Sequence, residues 1–324
     1  MTNPTSGNAS TPDVSTPDVS TPNPATSNPA DLHGPGPVHT PPAGIGGVVV
    51  RTVLAVVVGL AAYGPALLLA GLPGMDARPD ALAGNWALAL LKQAGPLLTV
   101  PLVAAGLIAL CTRWLDRRPF VVTGIRFDRR WVPAVLLGTA VSLVVVVPAS
   151  VLLGRVGLVE VIPTSSHEPL WVVIVYTIVL GYVMQGITEE FVWRGWLSQS
   201  LGGGWHRQAI LTAIPFGLIH ILSNGGHPSF WAGLVYVAQA GAFGYAAAAL
   251  YFATGSLWAA VGVHGGLHLA NYLAQGLGGG TGWALELVQI VLYVLIGAAV
   301  MRRLPGRGPG QVPDVSNADS SVSV

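Results

Sequence analysis

The sequence predicts an all-α, polytopic transmembrane helix bundle of about eight spans, with a disordered tail at each end. Three observations predict it. Hydrophobic residues make up 52% of the chain and charged ones only 9%, with a mean hydropathy of +0.62, whereas a soluble domain carries about 25% charged residues. Apolar stretches recur at close to the roughly 20 residues a bilayer requires. The breaks between them are turn-forming: "GLPGMDARPD", "SNGGHPS", "ATGS" and "GLGGGTG".

In chain order, residues 1–44 repeat "STPDV" and are rich in Ser, Thr and Pro. With so little to bury, a disordered cytoplasmic leader is expected there. It lacks the basic start and early apolar core of a signal peptide. His33 and His39 fall within it and carry no expected role. Apolar spans follow at 47–72, 86–113, 132–154, 170–201, 207–223, 229–253, 256–275 and 283–301. The fifth and seventh are short and contain glycine, so seven or eight spans are expected. Residues 45–160 form an N-terminal group of spans, 161–304 a catalytic core, and 305–324 a second disordered tail.

Orientation follows from arginine placement, because cytoplasmic loops carry the excess of Lys and Arg. The loop "TRWLDRRPFVVTGIRFDRRW" holds Arg113, Arg117, Arg118, Arg126, Arg129 and Arg130. Counting spans outward from it puts Arg207, Arg302, Arg303 and Arg307 on the same side, and only Arg78 and Arg155 on the other. A multi-pass protein of the cell membrane with both termini cytoplasmic is therefore expected. Lys92, the only lysine, sits near a span end from which it can snorkel. The abundance of Arg, Ala, Gly, Val and Pro points to a bacterial source. The tryptophans Trp171, Trp193, Trp196, Trp205, Trp231, Trp258 and Trp283 lie mostly near span ends, as an interfacial belt would.

The charge balance gives no basic patch of the kind nucleic acids need. Cys111 is the only cysteine, so intrachain disulfides and cysteine metal clusters are excluded.

Against this apolar background, "GITEEFVWRGW" at 186–196 places Glu189, Glu190 and Arg194 where a spanning helix should be oily. Charges at membrane depth are costly and mark function. On one helix Glu190 and Arg194 are four apart and share a face, with Glu first, the favourable order. Glu189 points roughly 100° away and has no partner on its own helix. Arg194 then holds Glu190 as a structural pair, and Glu189 is left to face a cavity as a general base or acid.

Two later spans add histidines. "IPFGLIHILS" contains Phe216 and His220, four apart, and "SLWAAVGVHGGLHLANY" puts His264, His268 and Asn271 on one helical face. Counted from the inferred cytoplasmic ends, Glu189, His220, His264 and His268 lie about 8 to 13 residues deep. That is roughly 12–20 Å at 1.5 Å per residue, so the groups converge on one layer. His167, His206 and His227 fall in expected loops.

The order "EEFVWR", "FGLIH", "HGGLH" resembles the three signatures of the CAAX protease and bacteriocin-processing family of intramembrane endopeptidases (CAAX prenyl protease 2-like). Those signatures are two glutamates with an arginine four after the second, Phe-x-x-x-His, and His-x-x-x-Asn. The resemblance covers about 160 to 280. It implies that Glu189 is the catalytic glutamate and His220 its partner in activating water. It further implies that Glu190 and Arg194 support the site, and that His264 and the residue four after it stabilise the oxyanion. That last residue is His268, where the family has asparagine. A neutral histidine donates one hydrogen bond, as an amide can, and Asn271, one turn on, is the alternative donor.

The leading expectation is an intramembrane endopeptidase acting on a protein or peptide substrate at the membrane, with no cofactor. A zinc enzyme is the variant. Its ligands would be Glu189, His220, His264 and His268, although the glutamate of His-Glu-x-x-His is missing. A proton relay in a transporter, or a non-catalytic immunity protein, uses the same residues in another class.

Overall fold

In the computed structural model, residues 43–75, 82, 84–161, 168–223 and 229–304 are described. They belong to one unit, Pro37–Val324. The disorder expected of the leader and tail lies outside the described residues, as do His33, His39, His167, His227, Arg78 and Arg307.

Each of the eight expected apolar segments is helical. The first runs as α1 (Ile45–Ala62) and α2 (Gly64–Ala70). The break at Tyr63 has a covalent cause: Pro65 has no N–H to give the carbonyl of residue 61. The second is likewise split, into α3 (Trp86–Leu97) and α4 (Thr99–Leu110), by Pro101. Then come α5 (Trp131–Arg155), the long rod Leu170–Leu201, α9 (Trp205–Ile219), α10 (Phe230–Thr254), α11 (Leu257–Gly276) and α12 (Trp283–Arg303).

Six of these segments are long and apolar enough to cross a membrane; α9 and α11 are not among them. With 15 residues, α9 spans only about 22 Å. In α11, 20 residues long, His264, His268 and Asn271 lower the hydropathy. The two segments that fall short are thus the two that carry the expected site histidines His220, His264 and His268.

Lipid gives helices no hydrophobic reason to associate, so close packing of small residues has to do it. The seam between α5 and α11 shows this. A Cβ on Gly138 would overlap the carbonyl of Ala259, and one on Gly262 the carbonyl of Val135. Through that contact Ser142 Oγ donates to the Val263 carbonyl at 2.7 Å. Large aliphatic side chains such as Leu68, Leu102 and Val144 point outward, as lipid-facing residues do.

The rod Leu170–Leu201 is not a plain α-helix. It starts as α6 (Leu170–Thr177), turns π-helical over Ile178–Ile187, is α-helical at α7 (Thr188–Glu190), π-helical again over Phe191–Leu197, and ends as α8 (Ser198–Leu201). Wide π turns cluster at functional sites, because they re-aim side chains that regular winding would place elsewhere. The rod stops at Gly202 and Gly203, both at positive φ.

One end of the bundle is drawn together by polar contacts. Arg207 donates to the carbonyls of Ala43, Leu201 and Gly202, each at 2.8 Å. Asp116 accepts from Arg51, Trp196 and Ser200, and Trp258 Nε1 donates to the Arg126 carbonyl at 2.6 Å. The expected aromatic belt is corrected here. Trp193, Trp196 and Trp258 are buried within the protein, held by partners inside it, whereas Trp171, Trp231 and Trp283 are exposed. His206 is also not in a loop; it is exposed in the first turn of α9.

Candidate active site

The rod sets Glu190 and Arg194 inward and Glu189 to the side. Arg194 Nη1 donates to Glu190 Oε1 at 3.0 Å, and both side chains are 0% exposed. The guanidinium carbon lies 4.4 Å over the ring of Phe216, on α9. Gly244, on α10, makes the space: a Cβ there would overlap Arg194 Nη2. A buried cation is therefore enclosed by one carboxylate, one aromatic face and one missing side chain. The i, i+4 spacing made the pair legible; the ring and the glycine could not be read from it.

His264, on α11, completes this inner layer. Its Nδ1 sits 3.1 Å from Glu190 Oε1. A carboxylate oxygen accepts, so Nδ1 carries the proton and Nε2 is turned toward the other glutamate, 4.0 Å from Glu189 Oε2. Glu189 is 18% exposed and lines a cavity of about 770 Å³. It also accepts from the hydroxyl of Tyr63 at 3.2 Å. Tyr63 was missed by sequence reasoning. Its signal was the Pro65 break, which stops the first helix at that residue.

His220 closes α9 and lines the same cavity. Its Nδ1 is 2.7 Å from the Phe216 carbonyl. A carbonyl accepts, so Nδ1 is again the donor and Nε2 is left as a base. Phe216 thus supports the site twice, through its ring under Arg194 and its carbonyl against His220. His268 lies one turn beyond His264 with its ring nearly parallel, 5.8 Å between centroids and 13° between planes. Gly181, in the first π stretch, makes room for it, since a Cβ there would come within 2.8 Å of His268 Cβ. Asn271 lines the cavity as well.

The six expected site residues thus sit together, four on the cavity wall (Glu189, His220, His264, His268) and two behind it (Glu190, Arg194). As a metal cage the wall does not fit. Among the described residues no group of three or more His, Cys, Asp or Glu side chains is placed to hold an ion. The two α11 histidines share a face, but their rings lie nearly parallel, 13° apart.

Residues 169–270 match the family model described as type II CAAX prenyl endopeptidase Rce1-like. Over that stretch the chain is similar to this family. The match spans the rod, α9, α10 and α11 up to Ala270, so it contains every residue of the inner layer and the histidine wall. Tyr63 and the α12 wall of the cavity fall outside it. No curated protein matches the chain.

Proposed function

We propose that the protein is an intramembrane endopeptidase that hydrolyses a peptide bond of a membrane-associated or leader-bearing protein with water activated by Glu189 and His220. The observation that carries this reading is the division of labour between adjacent glutamates. Glu190 is consumed by Arg194 and His264 in a dry layer, and Glu189 faces the cavity. Water entering the cavity gives a proton to Glu189 as its oxygen attacks the scissile carbonyl, and His220 Nε2 accepts a hydrogen bond from the same water. The carbonyl oxygen becomes an oxyanion, stabilised by a neutral donor on the α11 face, His268 or Asn271. Collapse of this intermediate breaks the C–N bond, and the proton on Glu189 passes to the leaving amine.

The arginine-rich end is the cytoplasmic end on this reading, with both termini inside a cell membrane. The cavity wall draws instead on Tyr63 and Leu67, the C-terminal end of α9, the second half of α11 and the start of α12. Substrate then reaches it from the half of the bilayer away from the arginines. Reporter fusions test the orientation: a periplasmic signal from a fusion near Arg126 overturns it. For the activity, membranes from cells carrying wild type or Glu189→Ala are compared by terminal proteomics. Uncut termini accumulating in the variant are expected; identical termini refute the hydrolytic reading.

A further inference from the structure

We infer that Tyr63 is a positioning residue for the water-activating carboxylate: its hydroxyl fixes Glu189 Oε1 and leaves Oε2 as the oxygen that takes the proton from water. This inference rests on the endopeptidase reading of the same cavity. It brings the first apolar segment into the site, outside the family match at 169–270. Glu189 needs such a hold. It stands in the short stretch Thr188–Glu190 between two π-helical runs, and its side chain lines a cavity instead of a packed core. A carboxylate on rotatable bonds that faces open space samples several aims, and a misaimed base is a slow one. Glu190 is clamped by Arg194 and His264. Among the described residues, the hydrogen bond that Glu189 accepts comes from Tyr63, at 3.2 Å.

The surroundings of Tyr63 hold it in place to give that bond. Ahead of Pro65, where the winding of α1 is interrupted, the Tyr63 N–H closes on the Leu60 carbonyl, three residues back, at 3.2 Å. The side chain packs against a small core of Ala62, Ala66, Val100, Ala104 and Met184, drawn from α1, α2, α4 and the rod. A ring held by four elements has little freedom, and its hydroxyl is carried to a residue 126 positions away in the chain. A phenol, with an ordinary pKa of about 10, keeps its proton near neutral pH, so Tyr63 donates and does not compete for the proton of water. The other carboxylate oxygen has a different neighbour. Oε2 lies 4.0 Å from His264 Nε2. His264 Nδ1 donates to Glu190, so in the neutral ring Nε2 is an acceptor and gives Oε2 no proton. One oxygen of Glu189 is thus tied and the other is left basic.

The test uses Tyr63→Phe, which removes the hydroxyl and leaves the ring in its packing, in the full chain in liposomes. The substrate is a peptide that wild type cuts, selected from a proteome-derived library by mass spectrometry. The variant's kcat should fall about tenfold with KM unchanged, as for a base that is present but less well aimed. Added to Glu189→Gln, the same change should cost nothing further, because the carboxylate it serves is gone. A thermal melt confirms that each variant is folded. An unchanged kcat, or an equal loss with and without the Glu189 carboxylate, overturns the positioning role and leaves the endopeptidase standing. A second arm needs no turnover. A hydrophobic carbodiimide labels carboxyl groups at membrane depth, and mass spectrometry reads each residue. Tyr63→Phe should raise labelling of Glu189 several-fold, because Oε1 is no longer engaged. Glu286, in the first turn of α12 on the same cavity, should be unchanged. An equal rise at both residues reports an opened cavity and overturns the contact, as does no rise at Glu189. A selective rise at Glu189 in a protein that cuts nothing supports the contact and refutes the hydrolytic reading alone.

Discussion

Two charged networks hold this bundle, and they are finished differently. At the arginine-rich end, Asp116 Oδ1 accepts twice from Arg51, and Oδ2 accepts from Trp196 and Ser200 at 2.8 Å each. Every lone pair the carboxylate needs to fill is filled. Around the cavity, by contrast, Glu190 Oε2, Gln185 Oε1, Glu286 Oε2 and two nitrogens of Arg194 have no hydrogen-bond partner among the described residues. The first network ties α1, the loop after α4 and the rod to one another. The second is positioned by packing, through Phe216, Gly244 and Gly181, and is left incompletely satisfied. The first network is held by hydrogen bonds that are all made, the second by the side chains that enclose it.

The sharpest way to break this contrast is at Glu189. Glu189→Gln keeps shape and removes the base, so turnover should fall by about 10²–10⁴-fold, the usual range for a general base. The melting temperature should stay within a few degrees, because Tyr63 can still donate to the amide oxygen. A variant that cuts normally would remove Glu189 from the mechanism.

A smaller effect is expected at His268. If it donates to the oxyanion, His268→Ala should lose about 10²–10³-fold in rate, and His268→Asn should recover most of it. Equal loss in both variants would shift the donor role to Asn271, and an Asn271→Ala assay would decide. The inner layer should respond in stability rather than rate alone. Arg194→Ala leaves Glu190 buried without its cation, a change that costs roughly 3–5 kcal/mol. A normal melt for Arg194→Ala, measured in detergent, would show that the pair is not what holds the rod in place.

The helical fold was legible because lipid forces simplicity: apolar runs of membrane length have one outcome, and all eight were found as helices. Among the described residues α9 and α11 fall short of the length or hydropathy of the other six, and they carry the expected site histidines. Within the site, spacing along one helix was enough to pair Glu190 with Arg194. What joins different helices left no periodic trace. Tyr63 lies 126 residues from Glu189, and Glu286 sits in the first turn of the last helix. The i, i+4 spacing puts His264 and His268 on one face, and their rings lie nearly parallel there.

The smallest effect should come from the closed network, and it tests whether the two ends are separate. The Asp116 side chain is 3% exposed and accepts from Arg51, Trp196 and Ser200 together. Asp116→Asn keeps the volume but replaces one acceptor oxygen with a donor facing other donors. Losing a buried acceptor costs about 1–3 kcal/mol, so the melt should drop by a few degrees. None of the four residues lines the cavity, although Ala55 and Trp193, one turn from Arg51 and Trp196, do. Specific activity per folded molecule should therefore be unchanged. Activity falling tenfold while the melt held steady would mean that the Asp116 network sets the rod's register, and with it the aim of Glu189. Asp116→Ala separates the cases further, since it removes the donor conflict and leaves only the lost acceptor. If Asp116→Ala proves more stable than Asp116→Asn, the conflict of donors is the dominant cost, as expected for a site whose every oxygen is in use.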